Sequence, residues 1–161
     1  AAVSLDWGIG KGNDLLFHIG EDMKRFRALT TGGTVIMGRK TLDSMPGGKP
    51  LPQRRNIVLT RQKDFAREGV ETAASVEEVL SLVAGEDPEK VWVIGGGSVY
   101  TALLPQCRRA YVTRVDAAVE DADTFFPNLD KSPDWKLVSE SEPITENGLT
   151  FRFVEYSNES L

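Results

Sequence analysis

Short runs of β-branched and apolar residues alternate with amphipathic stretches along nearly the whole chain. That alternation predicts an α/β fold: a mixed, mostly parallel central sheet with flanking helices. Ala1-Ala2-Val3 reads as the end of a first strand. Val35-Ile36-Met37, Asn56-Ile57-Val58-Leu59, Val91-Trp92-Val93-Ile94 and Tyr111-Val112-Thr113-Arg114-Val115 read as further strands. Met23, Phe26 and Leu29 recur at about one helical turn, which predicts a short helix from Glu21 to Leu29, ended by Gly32-Gly33. A second short helix should follow Gly38-Arg39-Lys40-Thr41 through Leu42 and Met45. Ser75-Val76-Glu77-Glu78 has the capping-box spacing that starts a helix through Leu82, and another should run from Ser98 to Leu104. Asp6 to Asp14 is glycine-rich and reads as a mobile loop, and Pro46 to Pro52 reads as an irregular one. Near the end, Leu137-Val138 and Leu149 to Val154 flank Asn147-Gly148, a strong short hairpin signal. An antiparallel C-terminal hairpin is therefore expected at one edge of the sheet.

No repeat, low-complexity tract or linker divides the chain, so one domain over residues 1–161 is expected. Composition narrows the function. The 161 residues include 27% charged and 40% hydrophobic side chains with a formal net charge of −5, as in an ordinary globular domain. A chain of this size buries roughly two thirds of its unfolded surface and needs no disulfide or structural metal. Cys107 is the only cysteine and His18 the only histidine, so a disulfide framework is excluded and no metal is expected. The acidic balance and 8% aromatic content argue against nucleic acid as a partner. No apolar run approaches the roughly 20 residues that span a bilayer, and no leader-like segment opens the chain. A cytoplasmic protein without a membrane partner is the expectation.

Two strand-to-helix junctions carry glycine: Gly38 before Arg39-Lys40-Thr41, and Gly95-Gly96-Gly97 before Ser98. Bare backbone N–H groups there suit a phosphate, although tight turns also use glycine for steric reasons alone. Neither junction completes the G-x-G-x-x-G fingerprint. Arg39, Lys40 and the segment Thr60-Arg61-Gln62 shift the reading toward a phosphorylated adenine nucleotide. Arg39 and Arg61 would suit a 2′-phosphate, hence NADPH, and a solvated basic face is the alternative. Asp22 lies in the first turn of the first helix, where a carboxylate ordinarily partners the helix dipole. Here Phe17, Ile19, Met23 and Phe26 surround it in sequence with apolar bulk that would tune it for proton chemistry. Its two oxygens also match a pair of parallel N–H donors on a flat heterocycle. His18 reads as a loop residue, and the sequon at Asn158 as part of a tail.

Several motifs occur in a family-specific order and spacing. They are Asp6-Trp7-Gly8-Ile9-Gly10, Leu15-Leu16-Phe17-His18-Ile19, Glu21-Asp22-Met23-Lys24-Arg25-Phe26, Val35 to Thr41, Leu51-Pro52-Gln53-Arg54-Arg55-Asn56, Val93 to Tyr100, Tyr111-Val112-Thr113 and Asp123-Thr124-Phe125-Phe126-Pro127. Together they resemble bacterial dihydrofolate reductase over essentially the whole chain. The resemblance implies reduction of 7,8-dihydrofolate to tetrahydrofolate with NADPH, inhibition by antifolates, and a monomer. It places Asp22 at the pterin as the single ionisable group and Thr113 as the hydroxyl that orients it. It assigns Phe17, Ile19, Met23, Phe26, Arg27, Met45, Leu51, Ile94 and Tyr100 to substrate contacts, and Arg54 to the substrate's glutamate carboxylate. For the cofactor it implies Ala2, Ile9, Gly10, Asn13, Asp14, Leu15 and Thr124 around the nicotinamide and its closing loop. Gly38, Arg39, Lys40, Thr41, Leu59, Thr60, Arg61 and Gln62 would serve the adenosine end. Ile94, Gly95, Gly96, Gly97, Ser98, Val99 and Tyr100 would serve the pyrophosphate and nicotinamide, with a cis peptide between Gly95 and Gly96. Three departures stand out. Phe17 replaces a common tryptophan, and Gly20 replaces a common proline, which should loosen the hinge of the closing loop. The first strand also starts late, so an apolar pocket residue is expected just before Ala1. Two rivals remain on residues alone. A fold relative that reduces a ribosylated pyrimidine should lack the helix carboxylate, and a non-catalytic NADPH-binding or antifolate-binding module would not need Asp22 with Thr113.

Overall fold

The computed structural model describes residues 1–161. In chain order the elements are β1 (Ala2–Val3), β2 (Gly8–Lys11), β3 (Asp14–Leu15), α1 (Gly20–Thr30), β4 (Thr34–Gly38) and α2 (Arg39–Asp43). They continue with β5 (Arg55–Leu59), β6 (Val70–Ala73), α3 (Val76–Val83), β7 (Val91–Gly95) and α4 (Gly97–Leu103). The chain ends with β8 (Arg109–Val115), β9 (Thr124–Phe125), β10 (Trp135–Glu140), β11 (Ile144–Glu146) and β12 (Leu149–Asn158). Contacts group these elements into two compact units, Arg25–Leu103 and Ala1–Lys24 with Leu104–Leu161.

In the first of these units the strand order is β6-β5-β4-β7, and every pairing is parallel. The continuous apolar character of β4 and β5 is what such a sheet needs, because side chains point alternately to two faces and both are covered. Ile36, Ile57 and Ala73 pack with Val79 of α3 and with Val99 and Leu103 of α4. Val35, Met37 and Val58 pack with Leu42 of α2. Helix α3 starts as its capping box predicts, since Ser75 Oγ accepts the Glu78 N–H at 3.1 Å. Strand β6 is absent from the sequence expectation. Its residues Val-Glu-Thr-Ala lie at the sheet edge with only Ala73 buried, so no apolar run marks it.

The other unit carries the expected antiparallel hairpin. Its main sheet runs β1-β8-β12-β10 with β11 also on β12, and only the β1–β8 pairing is parallel. Asn147 and Gly148 both adopt positive φ, 51° and 79°, the conformation of a tight two-residue hairpin turn. The strand that directly enters the turn is β11. Leu137 belongs to β10, which joins β12 farther along. The segment Asp6 to Asp14 is not the irregular loop that its glycines suggest: β2 pairs antiparallel with both β3 and β9. Gly12 and Asn13, at φ 59° and 63°, form the two-residue turn between Lys11 and Asp14. Left-handed backbone at both central positions is what Gly and Asn tolerate, so glycine here closes a hairpin. The Pro46 to Pro52 loop contains a single 3-10 turn at Pro46–Gly48.

An ion-pair group closes the rim of the parallel sheet. Arg55 donates to Glu71 from Nε at 2.5 Å and Nη2 at 2.7 Å, and to Glu86 from Nη1 at 3.0 Å. Hydrogen bonding to Arg55, reinforced by its charge, holds the Glu71 carboxyl below the usual carboxylate range. A depressed folded value means that stabilisation is present above the unfolded value of about 4.3 and is lost as pH falls through the lower folded one. Urea unfolding should therefore show Glu71→Gln less stable than the parent at neutral pH, with the gap shrinking below about pH 4. A gap independent of pH would remove the ion pair as its cause.

Candidate active site

Asp22 sits in the first turn of α1, and its Oδ1 accepts the Thr113 hydroxyl at 2.5 Å. Thr113 is 3% exposed in β8, where its N–H donates to the Ala1 carbonyl at 2.8 Å and it lies opposite Ala2 of β1. A buried hydroxyl must find a partner, and this one finds a carboxylate 91 residues away in sequence. Phe17 and Ile19 are buried beside Val115 and Phe151 in the core that supports the start of α1. Asp22 and Phe26 are half-buried and Met23 is exposed, so the apolar enclosure read from the sequence is only partly present in these surroundings.

The β2–β3 hairpin is tied to the segment around β9. Asp123 Oδ2 accepts the Gly12 N–H at 2.9 Å and its Oδ1 accepts the Thr124 hydroxyl at 2.9 Å, while the Asp123 N–H donates to the Gly10 carbonyl at 3.0 Å. The Gly12 N–H, followed by the Thr124 hydroxyl, holds the Asp123 carboxyl below its usual range. Lys11 pairs with Asp121 beside it. Ile9 and Gly10 are buried, whereas Asn13, Asp14 and Leu15 are exposed on the hairpin.

In the parallel sheet, β4, β5 and β7 are neighbours with a common direction, so their C-terminal ends share one edge. That edge carries Gly38 to Thr41, Leu59 to Gln62, and Ile94 to Tyr100. Ligands of parallel α/β sheets bind outside the carboxyl ends of the strands. Arg39 Nη1 donates to Gln62 Oε1 at 2.8 Å, which links two of the three strand ends. Arg61 and Lys40 are exposed there. The Gly95–Gly96 peptide is cis, as the resemblance implied. A Cβ at Gly38 would lie 3.1 Å from Val99, at Gly95 3.4 Å from the Tyr100 ring, and at Gly96 3.5 Å from Thr41 Oγ1. Side chains would therefore fill this cradle. Bare backbone with flanking guanidinium groups fits a phosphorylated dinucleotide. Val99 itself is 5% exposed and packs in the core, with Leu59 against the same cluster. Ser98 is exposed at the start of α4.

Arg54 stands in a third group. Its Nη2 donates to Thr31 Oγ1 at 3.1 Å, its guanidinium lies 5.9 Å from the Phe26 ring centroid, and its Nε is buried without a partner. Burial, and then the charge of Arg27, pull Arg54 below the ordinary guanidinium range. Two guanidinium groups near each other, one with an orphaned donor, suit an incoming carboxylate. Met45, Leu51 and Ile94 pack against the Val35, Met37, Leu42 and Val58 core.

Sequence reading did not assign roles to Asp121, Asp123 or Glu146. Glu146 Oε2 accepts the Gly20 N–H at 2.6 Å and its Oε1 accepts the Glu21 N–H at 3.0 Å. These partners are more than a hundred residues apart and no local pattern announces them. The only available signals were the Gly12-Asn13 turn and the Asp123-Thr124 pair, each weak without the fold.

Comparison with known proteins identifies the family. The family model described as dihydrofolate reductase matches residues 1–158. Dihydrofolate reductase of Neisseria meningitidis serogroup A is 43% identical over 157 residues, covering 97% of this chain and 94% of the relative. That of Bacillus subtilis is 39% identical over 154 residues, covering 94% of this chain and 88% of the relative. A solved dihydrofolate reductase from Enterococcus faecalis, complexed with NADP(H) and RAB-propyl, superposes with a TM-score of 0.85 at 35% identity, covering 98% of this chain and 92% of that one. With its helix carboxylate, its glycine junctions and its matched length all in agreement, the chain belongs to the dihydrofolate reductase family.

Proposed function

We propose that this protein reduces 7,8-dihydrofolate to 5,6,7,8-tetrahydrofolate with NADPH, as a single catalytic domain, and so supplies one-carbon metabolism. The observation that carries the reading is the Asp22–Thr113 hydrogen bond in a chain that matches the dihydrofolate reductase family over residues 1–158. When bound, NADPH supplies the hydride. The residues of this chain do the rest. Asp22 commits Oδ1 to Thr113 and leaves Oδ2 for the amidine edge of the pterin, so the Thr113 hydroxyl fixes which way the carboxylate faces. A carboxylate held there favours the protonated form of the adjacent ring nitrogen, directly or through water. Phe17, Ile19, Met23, Phe26, Met45, Leu51, Ile94 and Tyr100 are assigned to the walls of the substrate site, with Arg27 and Arg54 drawing in the glutamate carboxylate. The β2–β3 hairpin, with Ala2, Ile9, Asn13 and Leu15, is assigned to covering the nicotinamide and excluding water. Arg39, Lys40, Thr41, Thr60 and Arg61 are assigned to the adenosine end.

No helix is long and apolar enough to cross a membrane. A cytoplasmic monomer is the state we propose. None of the assigned roles needs a second copy, and the single cysteine, whose thiol burial pushes up to about 11, has no intrachain disulfide to lose in a reducing compartment.

Three substitutions test the assignments by spectrophotometric NADPH oxidation. Asp22→Asn should lower turnover about 10²-fold or more at neutral pH while sparing NADPH affinity, and unchanged turnover would remove Asp22 from the mechanism. Arg61→Ala should weaken NADPH about tenfold and NADH much less, because only NADPH presents a 2′-phosphate. Equal losses for the two cofactors would show that Arg61 does not read that group. Arg54→Leu should raise KM for dihydrofolate about tenfold or more with kcat little changed, the pattern of lost uniform binding. An unaltered KM would place the substrate carboxylate elsewhere.

A further inference from the structure

Helix α1 begins without a cap of its own. The Met23 N–H donates to the Ile19 carbonyl at 3.0 Å, which puts Ile19 at the N-cap position. An isoleucine side chain offers no oxygen to the first-turn N–H groups and is among the poorest caps. Ile19 is there for another reason: it is 2% exposed and packs with Phe17, Val115 and Phe151. The missing acceptor comes from the far end of the chain. Glu146 spans the helix start with one oxygen on each of the Gly20 and Glu21 N–H groups, at 2.6 and 3.0 Å.

Glu146 is itself held in register. It is the last residue of β11, opposite Leu149 of β12 across the Asn147-Gly148 turn. The same β12 places Phe153 opposite Thr113 of β8. One sheet therefore reaches α1 at two points, through Thr113 on the Asp22 side chain and through Glu146 on the backbone of the two residues before it. Two charge-assisted bonds from one carboxylate fix the rotation of the first turn as well as its existence.

We propose that Glu146 is a positioning residue for the reduction, capping α1 from the β11–β12 hairpin so that Asp22 meets the pterin in one orientation. The proposal rests on the role assigned to Asp22 above. Gly20 is the donor that makes the grip two-pointed. Proline at the first helical position would fit the backbone but has no N–H to give. Alanine there would place its Cβ 3.4 Å from Glu146 Oε2, an ordinary contact.

The test uses the full chain with four readouts: single-turnover NADPH oxidation, KM for dihydrofolate, NADPH affinity, and amide hydrogen exchange at Gly20 and Glu21. Glu146→Ala should speed exchange at both amides and slow single-turnover oxidation about tenfold, with NADPH affinity within about twofold. Glu146→Gln keeps one carbonyl acceptor and should fall between Glu146→Ala and the parent, which also guards against a variant that fails to fold. Gly20→Ala should retain the cap and the parental rate. In a Gly20→Pro background one of the two bonds is already gone, so Glu146→Ala should cost only about threefold more. Faster exchange with parental turnover and KM in Glu146→Ala or Glu146→Gln would overturn the proposal, as would an equal loss in the Gly20→Pro background. Failure of the Asp22 assignment would show separately, as an Asp22→Asn enzyme that keeps its turnover.

Discussion

The register of β8 between β1 and β12 is the constraint on which the Asp22–Thr113 hydrogen bond depends. Residues alternate across a strand, so a slip of one position would turn Thr113 to the opposite face and take its hydroxyl away from Asp22. The neighbours prevent the slip. Ala2 lies opposite Thr113 on one side and Phe153 on the other, and Val112 and Val115 are fully buried on opposite faces of β8. A one-residue shift would force an Arg114 guanidinium into the place of a buried side chain, at a cost of several kcal/mol for an unpaired charge. The position of a single hydroxyl is thus secured by apolar burial along a whole strand. The hydroxyl in turn fixes which oxygen of the Asp22 carboxylate is engaged.

Much of this architecture is legible in the sequence because it is written locally. Val35-Ile36-Met37 and Ile57-Val58 are continuous apolar runs, which is how strands covered on both faces must read, and the Ser75 capping box marks the start of α3 to within a residue. Asn147-Gly148 marks its turn because few residues accept left-handed backbone. Strands β6 and β9 escape notice for the converse reason. An edge strand with one buried side chain, and a strand of two residues, present no periodicity to detect. The β2–β3 hairpin escapes because glycine reads as a breaker of structure, whereas at Gly12 it permits the turn that makes the structure.

The site divides along the same line. Gly38, Gly95, Arg39 and Asp22 stand in motifs whose spacing survives in sequence, and the order of those motifs made the family recognisable. Glu146, Asp121 and Asp123 act through pairings across more than a hundred residues. Nothing within a window of one helix or one strand reports such pairings. An isoleucine at the N-cap of α1 is in retrospect a local signal of a kind: a helix that begins on an apolar residue needs an acceptor from elsewhere. The sequence shows the need and only the fold shows what meets it.

Chemistry within this fold is distinguished by a small set of groups. The glycine cradle at the ends of β4 and β7, with Arg39 and Arg61, would serve any enzyme or binding module that takes a phosphorylated dinucleotide, so it separates none of the rivals. Asp22 with Thr113 does separate them. A binding module gains nothing from a carboxylate oriented by a buried hydroxyl, and a reductase of ribosylated pyrimidines is expected to lack the carboxylate on the first helix. Arg54 is the other unusual group, because a guanidinium Nε buried without a protein partner is costly and folding alone does not account for it. Family membership over residues 1–158 weighs the same way, toward reduction of dihydrofolate and away from a bare binding role.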